Sequence, residues 1–323
     1  MPNNARLLLL DRDQVARLLV PDEVLAAVLE AFVLHSRGEG RVFPLVREKL
    51  VTGGVFGIKS GDVPRQNLLG FKAAGFWPSN RALAGEPHQA TIFLIDPATG
   101  RPECLIDGNE VTTQRTGAAG GLGVKHLARP DGQRVCVFGT GVQAKVQLEF
   151  ALRLMPSVNE VRYLTSNGQA NAVFAAHFEN RCKVLHTVDA NHAVSSSELI
   201  ITATTGKSPL FDADAVQPGS HINCVGTDTK GKRELPEGLL PRARVFVDDK
   251  AQSLQIGELQ WMPETPLIEI GDVLSGKKPF QRALEDITIF DMTGIALQDL
   301  TVARLLYQRA SAAGTGTSVT WPW

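Results

Sequence analysis

The chain has 323 residues, enough for a large core and two domains, and its 43% hydrophobic and 21% charged composition is that of a globular protein. Lys and Arg number 33 against 34 Asp and Glu, a net charge of -1, so no broad basic field draws it to nucleic acid or an anionic membrane. Leu7–Leu10 are too few for a signal-peptide core, and no run reaches the roughly 18 apolar residues of a membrane span, so a cytoplasmic location is expected.

Asp11 followed by Gln14 resembles a capping box that opens a short helix. Pro21 fits the first turn of a second helix, whose Val24, Leu25, Val28 and Phe32 share one face. Residues 42–60 predict two short strands around Gly53-Gly54, and segments 68–76 and 89–107 continue the strand pattern, the latter with a turn at "DPATG". Thr112 or Thr113 can cap a helix with Arg115 in its first turn. Its small-residue run "RTGAAGGLG" weakens helix propensity, which points to close approach of another backbone.

From Arg134 the texture becomes alternating strand and helix. Strand candidates are "RVCVFG", "EVRYLT", "CKVLHT", "ELIITAT", "SHINCVG" and "ARVFVDD". That alternation is the signature of an α/β doubly wound parallel sheet. Residues 301–310 read as a late helix, and "GTGTSVTWPW" as a non-periodic extension in which Trp321 and Trp323 have no assigned role. Cys104, Cys136, Cys182 and Cys224 lack C-x-x-C spacing and are expected to be free thiols in a reducing compartment.

Chemistry concentrates in a few places. Gly139-Thr140-Gly141-Val142-Gln143-Ala144 is G-x-G-x-x-A between an apolar strand and an apolar-faced helix. The first glycine permits the turn, the second lets backbone approach a pyrophosphate, and Ala144 lets helix and strand pack closely. An acid should follow at the end of the next strand to read an NAD ribose. Thr165, Ser166 and Asn167 stand there instead. They can bond a ribose hydroxyl but offer no cation to a phosphate, so NAD(H) is expected over NADP(H).

Asp228 follows an apolar strand, beyond a C-terminal sheet edge where ligands of such sheets bind; an Asx-turn or helix cap is the bland alternative. Lys72 interrupts the apolar "LLGFKAAGF". A lone lysine there usually snorkels to solvent. Yet Arg47, Lys59 and Arg115 come from the same region, and four cations together suggest an anionic pocket. His35, His88, His126, His177, His186, His192 and His221 show no metal-ligand spacing, and no metal is inferred.

The ordered combination "HQATIFLIDPATGRPECLIDGNEVTTQRTGAA", "VFGTGVQA", "HINCVGTDTKGKREL" and "DMTGIALQDLTVARL" resembles the ornithine cyclodeaminase/mu-crystallin family over roughly residues 10–310. The resemblance implies a Rossmann NAD-binding domain, residues 116–299, and an α+β substrate-binding and dimerisation domain, residues 1–115 with 300–323. It implies a homodimer that handles a small amino or imino acid. Arg47, Lys72 and Arg115 match the positions that bind the substrate carboxylate. Asp228 matches an acid/base position, and Thr293 and Gly294 a loop near the nicotinamide.

One departure is informative. In ornithine cyclodeaminases a glutamate thirteen residues before the pocket lysine receives a distal ammonium; here that count reaches Lys59. A cation there repels an ammonium and suits a second carboxylate. The expectation is therefore NADH-dependent reduction of a dicarboxylic α-imino acid, iminosuccinate to L-aspartate. A cyclodeaminase, an alanine dehydrogenase, a pyrroline-2-carboxylate reductase and a non-catalytic NAD(P)H-binding protein are the rivals.

Overall fold

The structure is a computed structural model that describes residues 5–322. The chain divides into two compact units: the described residues of Met1–Arg115 with Ile295–Trp323, and Thr116–Gly294. Residues 295–299, expected with the parallel-sheet domain, belong to the first unit. The reason is covalent: one helix runs unbroken from Ala296 to Ala313.

In the first unit, β1 (Arg6–Leu10) leads to α1 (Arg12–Leu18) and α2 (Pro21–Ser36). The predicted capping box is present, with Gln14 N donating to Asp11 Oδ1 at 2.9 Å and Asp11 N to Gln14 Oε1 at 3.0 Å. β2 (Arg41–Val42), β3 (Val46–Lys49), β4 (Val55–Val63), β5 (Leu68–Phe76), β6 (His88–Ile95) and β7 (Pro102–Asp107) follow. The turn between β6 and β7 is built by Asp96, whose carboxylate accepts from Ala98 N at 2.9 Å.

α3 (Gly108–Leu127) crosses into the second unit. It begins earlier than the sequence suggests. Asp107, the last residue of β7, caps it by accepting from Asn109 N at 3.2 Å and Glu110 N at 3.4 Å. Thr112 and Thr113 therefore lie inside the helix, and Arg115 on its second turn. Close neighbours are found, but they are side chains rather than another backbone: a Cβ on Gly120 would sit 1.8 Å from Gln147 Oε1 and one on Gly117 2.6 Å from Val146 Cγ2.

The second unit carries β8 (Arg134–Phe138), α4 (Val142–Leu154), β9 (Glu160–Leu164), α5 (Ala172–Phe178), β10 (Lys183–His186), α6 (Ala190–Ser195), β11 (Leu199–Thr202), β12 (His221–Cys224), β13 (Arg244–Val247), α7 (Lys250–Ile256), β14 (Leu267–Glu269), α8 (Ile270–Leu274) and β15 (Thr288–Asp291). The order β10-β9-β8-β11-β12-β15-β13-β14 is parallel throughout. Its direction of growth reverses between β8 and β11, the switch point where open α/β sheets bind ligands. This is the Rossmann doubly wound fold. β8, β11, β12 and β15 are buried along their whole length apart from Arg134, as strands covered on both faces must be.

The chain returns to the first unit in α9 (Ala296–Ala313) and ends in β16 (Thr317–Thr320). The first unit's sheet runs β16-β1-β7-β6-β5-β4-β2, with β3 also on β4. The C-terminal extension is thus a strand, not a non-periodic tail. It pairs antiparallel with β1, and Trp321 N donates to Ala5 O at 3.0 Å. Trp323 lies outside the described residues. All four cysteines are free and buried, and among the described residues no helix is long and apolar enough to cross a membrane.

Candidate active site

Strand alternation places the cations of the first unit. Lys72 in β5 lies directly opposite Lys59 in the antiparallel pair with β4, so both side chains project from one face of the sheet. Arg47 lies opposite Gly57, two residues from Lys59 on β4, and therefore on that same face. Gly57 leaves room for it: a Cβ there would be 3.8 Å from Arg47 Cδ. α9 packs over this face through Leu297 and Leu300. Gly61 and Gly70 permit that packing, since a Cβ on Gly70 would sit 2.9 Å from Leu300 Cδ2.

α9 also brings a carboxylate. Lys72 Nζ donates to Asp299 Oδ1 at 2.7 Å and to Thr112 Oγ1 at 3.2 Å. Arg115 Nε donates to the same Asp299 oxygen at 3.1 Å, and its Nη1 to Gln298 Oε1 at 3.1 Å. Lys72, Arg115 and Asp299 are all buried. Burial drags the Lys72 ammonium down from 10.5 to about 7; Asp299 opposes that shift, while Arg115 and Lys59 add to it. Burial works against the charge of Asp299, yet Lys72 and Arg115 hold its carboxyl below the ordinary range. Asp299 Oδ2 is buried with no hydrogen-bond partner among the described residues. Arg47, Lys59 and Lys72 thus share one sheet face, and Arg115 joins Lys72 on the Asp299 carboxylate. The unused Asp299 acceptor and the cations around it are what a bound anion with a neighbouring N–H donor would complete.

Asp299, Gln298 and Thr112 are not legible as site residues in the sequence. A signal for Asp299 exists: it falls on the buried stripe Ala296, Val302, Ala303, Leu306 and Ala310 of α9, where an acid needs a partner. Thr112 reads in the sequence only as a helix cap.

The second unit holds the glycine turn. Gly139 has φ +100°, and a Cβ there would lie 2.6 Å from Ala203 O, so only glycine fits. Gly141 caps α4, and a Cβ on it would meet no atom within 4 Å. That open space faces the free amides at the start of a 13-residue helix, the arrangement a pyrophosphate requires. Ala144 is buried against the sheet, while Val142 is exposed. Gln143 Oε1 is buried without a hydrogen-bond partner among the described residues. Thr140 Oγ1 accepts from Asn171 Nδ2 at 3.0 Å, which ties the turn to the start of α5. The residues present fit a dinucleotide.

Thr165, Ser166 and Asn167 form the loop after β9. Thr165 Oγ1 donates to Gln169 O at 2.8 Å, Asn167 Oδ1 accepts from Gln169 N at 3.1 Å, and Ser166 is exposed. Thr293 Oγ1 donates to Asp248 Oδ1 at 2.8 Å, and Gly294 N also donates to Asp248. Asp228 lies four residues beyond the C-terminal end of β12. It is not a buried acid: its side chain is 40% exposed and Lys232 Nζ donates to it at 2.7 Å.

A Rossmann unit with a glycine phosphate turn, in one chain with an α+β unit that carries a cationic sheet face, defines a nucleotide-dependent enzyme architecture. A family model described as ornithine cyclodeaminase/mu-crystallin matches residues 6–314, and the chain belongs to that family. It is 33% identical to the iminosuccinate reductase of Paracoccus denitrificans, over 97% of this chain and 99% of the relative. The structure of that protein in complex with NAD+ has a TM-score of 0.89 to this chain. An archaeal alanine dehydrogenase dimer with bound NAD is 30% identical with a TM-score of 0.92, covering 98% of this chain and all of that one. The pyrroline-2-carboxylate reductase of Thermococcus litoralis, in complex with NADH and L-proline, is 27% identical with a TM-score of 0.90 over 97% of this chain.

Proposed function

We propose that the protein reduces a dicarboxylic α-imino acid, iminosuccinate, to L-aspartate with NADH. The wider class is an NAD(H)-dependent oxidoreductase of imino or amino acids, in keeping with its relatives and with the glycine turn. The narrower substrate rests on one observation: Lys59 is in register with Lys72 on the cationic face. Arg47, Lys72 and Arg115 suit the α-carboxylate that any imino acid carries, and the Lys59 ammonium beside them would attract a second carboxylate and repel a distal ammonium.

In this scheme Arg115 is the rigid part of the clamp, its guanidinium oriented by Gln298 and Asp299. Arg47 and Lys72 complete the α-carboxylate site. Lys72 titrates near neutrality, so it can hold or release a proton beside the reacting centre. Asp228, exposed and paired with Lys232, relays the proton of the imine nitrogen through water rather than acting as a burial-raised acid. Gly139–Ala144 would cradle the pyrophosphate, and Thr165–Asn167 and Thr293–Gly294 would hold the rest of the cofactor. Bound NADH supplies the hydride for the α-carbon; the protein supplies position and charge.

A homodimer is part of the proposal. The opposite face of the first unit's sheet is half-exposed and apolar: Leu9, Ile58, Phe71, Phe93 and Leu105, with Phe71 and Phe93 stacked at 5.1 Å.

The test is NADH oxidation with a panel of carbonyl substrates. Oxaloacetate with ammonia should be turned over far faster than pyruvate with ammonia or pyrroline-2-carboxylate. Turnover of pyruvate with ammonia alone would make the protein an alanine dehydrogenase. Ammonia release from ornithine without net NADH change would make it a cyclodeaminase.

A further inference from the structure

The end of the parallel sheet carries a second group of buried ionisable residues, none of which binds substrate or cofactor in the scheme above. Glu234, Glu258 and Asp291 are essentially inaccessible to solvent. Their partners are hydroxyls and backbone amides rather than cations. Glu234 accepts from Thr202 Oγ1 at 2.8 Å, Thr204 N and Oγ1 at 2.7 Å, and Gly226 N at 2.9 Å. Glu258 Oε1 accepts from Thr227 Oγ1 at 2.5 Å and from Glu234 N at 2.7 Å. Glu258 N donates in turn to Asp291 Oδ2 at 3.0 Å.

All but the Glu258–Asp291 bond have a partner in the loop that carries Asp228. Gly226 and Thr227 are held just before it, and Glu234 a few residues after it. Thr227 is fully buried, while the neighbouring Asp228 side chain is 40% exposed. The same Glu234 carboxylate binds Thr204, whose neighbour Ala203 abuts Gly139. One bracket therefore spans the phosphate turn and the Asp228 loop.

We propose that Glu258 is a positioning residue for Asp228: by accepting the Thr227 hydroxyl and the Glu234 amide it fixes the loop that presents the proton-relay carboxylate. The proposal rests on the relay role given to Asp228 above. A carboxylate that accepts two bonds on one oxygen holds both donors in a fixed relation. Loss of the hydroxyl frees Thr227 to rotate, and a small misplacement of a proton-transfer group costs rate rather than substrate affinity.

The experiment compares Thr227→Val, Thr227→Ser and Asp228→Asn in the full-length protein, with NADH and the most active substrate of the panel. Thr227→Val should lower kcat about ten-fold, with KM for the imino acid and Kd for NADH unchanged. Thr227→Ser, which restores the hydroxyl, should return kcat to near wild type. Thr227→Ala answers the same question if the valine variant does not fold. An unchanged kcat in Thr227→Val, with Asp228→Asn inactive, would overturn the positioning role alone. Parallel losses of kcat, NADH affinity and melting temperature in both Thr227→Val and Thr227→Ser would do so too, since that is the mark of a merely structural hydroxyl. Full activity in Asp228→Asn would overturn the relay role, and the positioning role with it.

Discussion

Two regions of this molecule bury ionisable side chains, and they treat them in opposite ways. In the first unit, buried Lys72 and Arg115 share one carboxylate, Asp299, whose proton affinity they hold below the ordinary range. At the strand ends of the second unit, Glu234, Glu258 and Asp291 gather with no cation bonded to them among the described residues, and are pushed toward their neutral forms. Burial lifts Glu258 to about 7, with the charge of Glu234 adding to it, and lifts Asp291 to about 8, with the charges of Glu258 and Asp248 adding to it. In the first region neighbouring cations favour the ionised carboxylate, and in the second the neutral acids are favoured, because a buried charge with no counter-charge costs stability.

The sharpest way to break that contrast is Asp299→Ala. It strands Lys72 and Arg115 without their shared partner, and should cost about 3–5 kcal/mol by urea denaturation, together with loss of turnover. A variant as stable as wild type would mean that the cations do not need Asp299. In the other region, Asp291→Asn should cost less than about 1 kcal/mol near pH 7, because the residue it replaces is already largely neutral there.

The smallest effect is in the pH profile. Asp291 binds its proton more tightly folded than unfolded, so its contribution is fully present below about pH 4 and is lost as pH rises toward about 8. Glu258 acts in the same direction up to about 7. Lys72 has the opposite shift: its burial penalty is complete below about 7 and is relieved as pH rises toward 10.5. Melting temperature should therefore fall between mildly acidic and neutral pH, and Asp291→Asn should flatten that limb. A limb equally steep in the variant would place the titration elsewhere.

What the sequence revealed follows the range of the interactions. The phosphate turn was legible because its requirements are local: Gly139 and Gly141 for the turn and Ala144 for packing all lie within six residues. The count from Lys72 back to Lys59 singled out the position, but that the two lie opposite each other in β4 and β5 came only with the structure. Asp299 was not, because Lys72 and its partner are 227 residues apart. The C-terminal strand escaped for the same reason. Its sequence shows no period-2 pattern, and only β1, from the opposite end of the chain, supplies the ladder. The start of α3 was misplaced because its cap, Asp107, belongs to the preceding strand. The acid group at Glu258 was invisible because Glu234, Glu258 and Asp291 come from separate elements, and each reads alone as a surface charge.

The central claim is that the cationic face selects a second carboxylate through Lys59. The most direct measurement is the ratio of kcat/KM for oxaloacetate with ammonia to that for pyruvate with ammonia, in wild type and in Lys59→Glu, with NADH affinity measured alongside. The account predicts a ratio that collapses by about a hundred-fold or more in Lys59→Glu, as expected when an attractive charge becomes a repulsive one, while Kd for NADH stays the same. An unchanged ratio with NADH binding intact would contradict it.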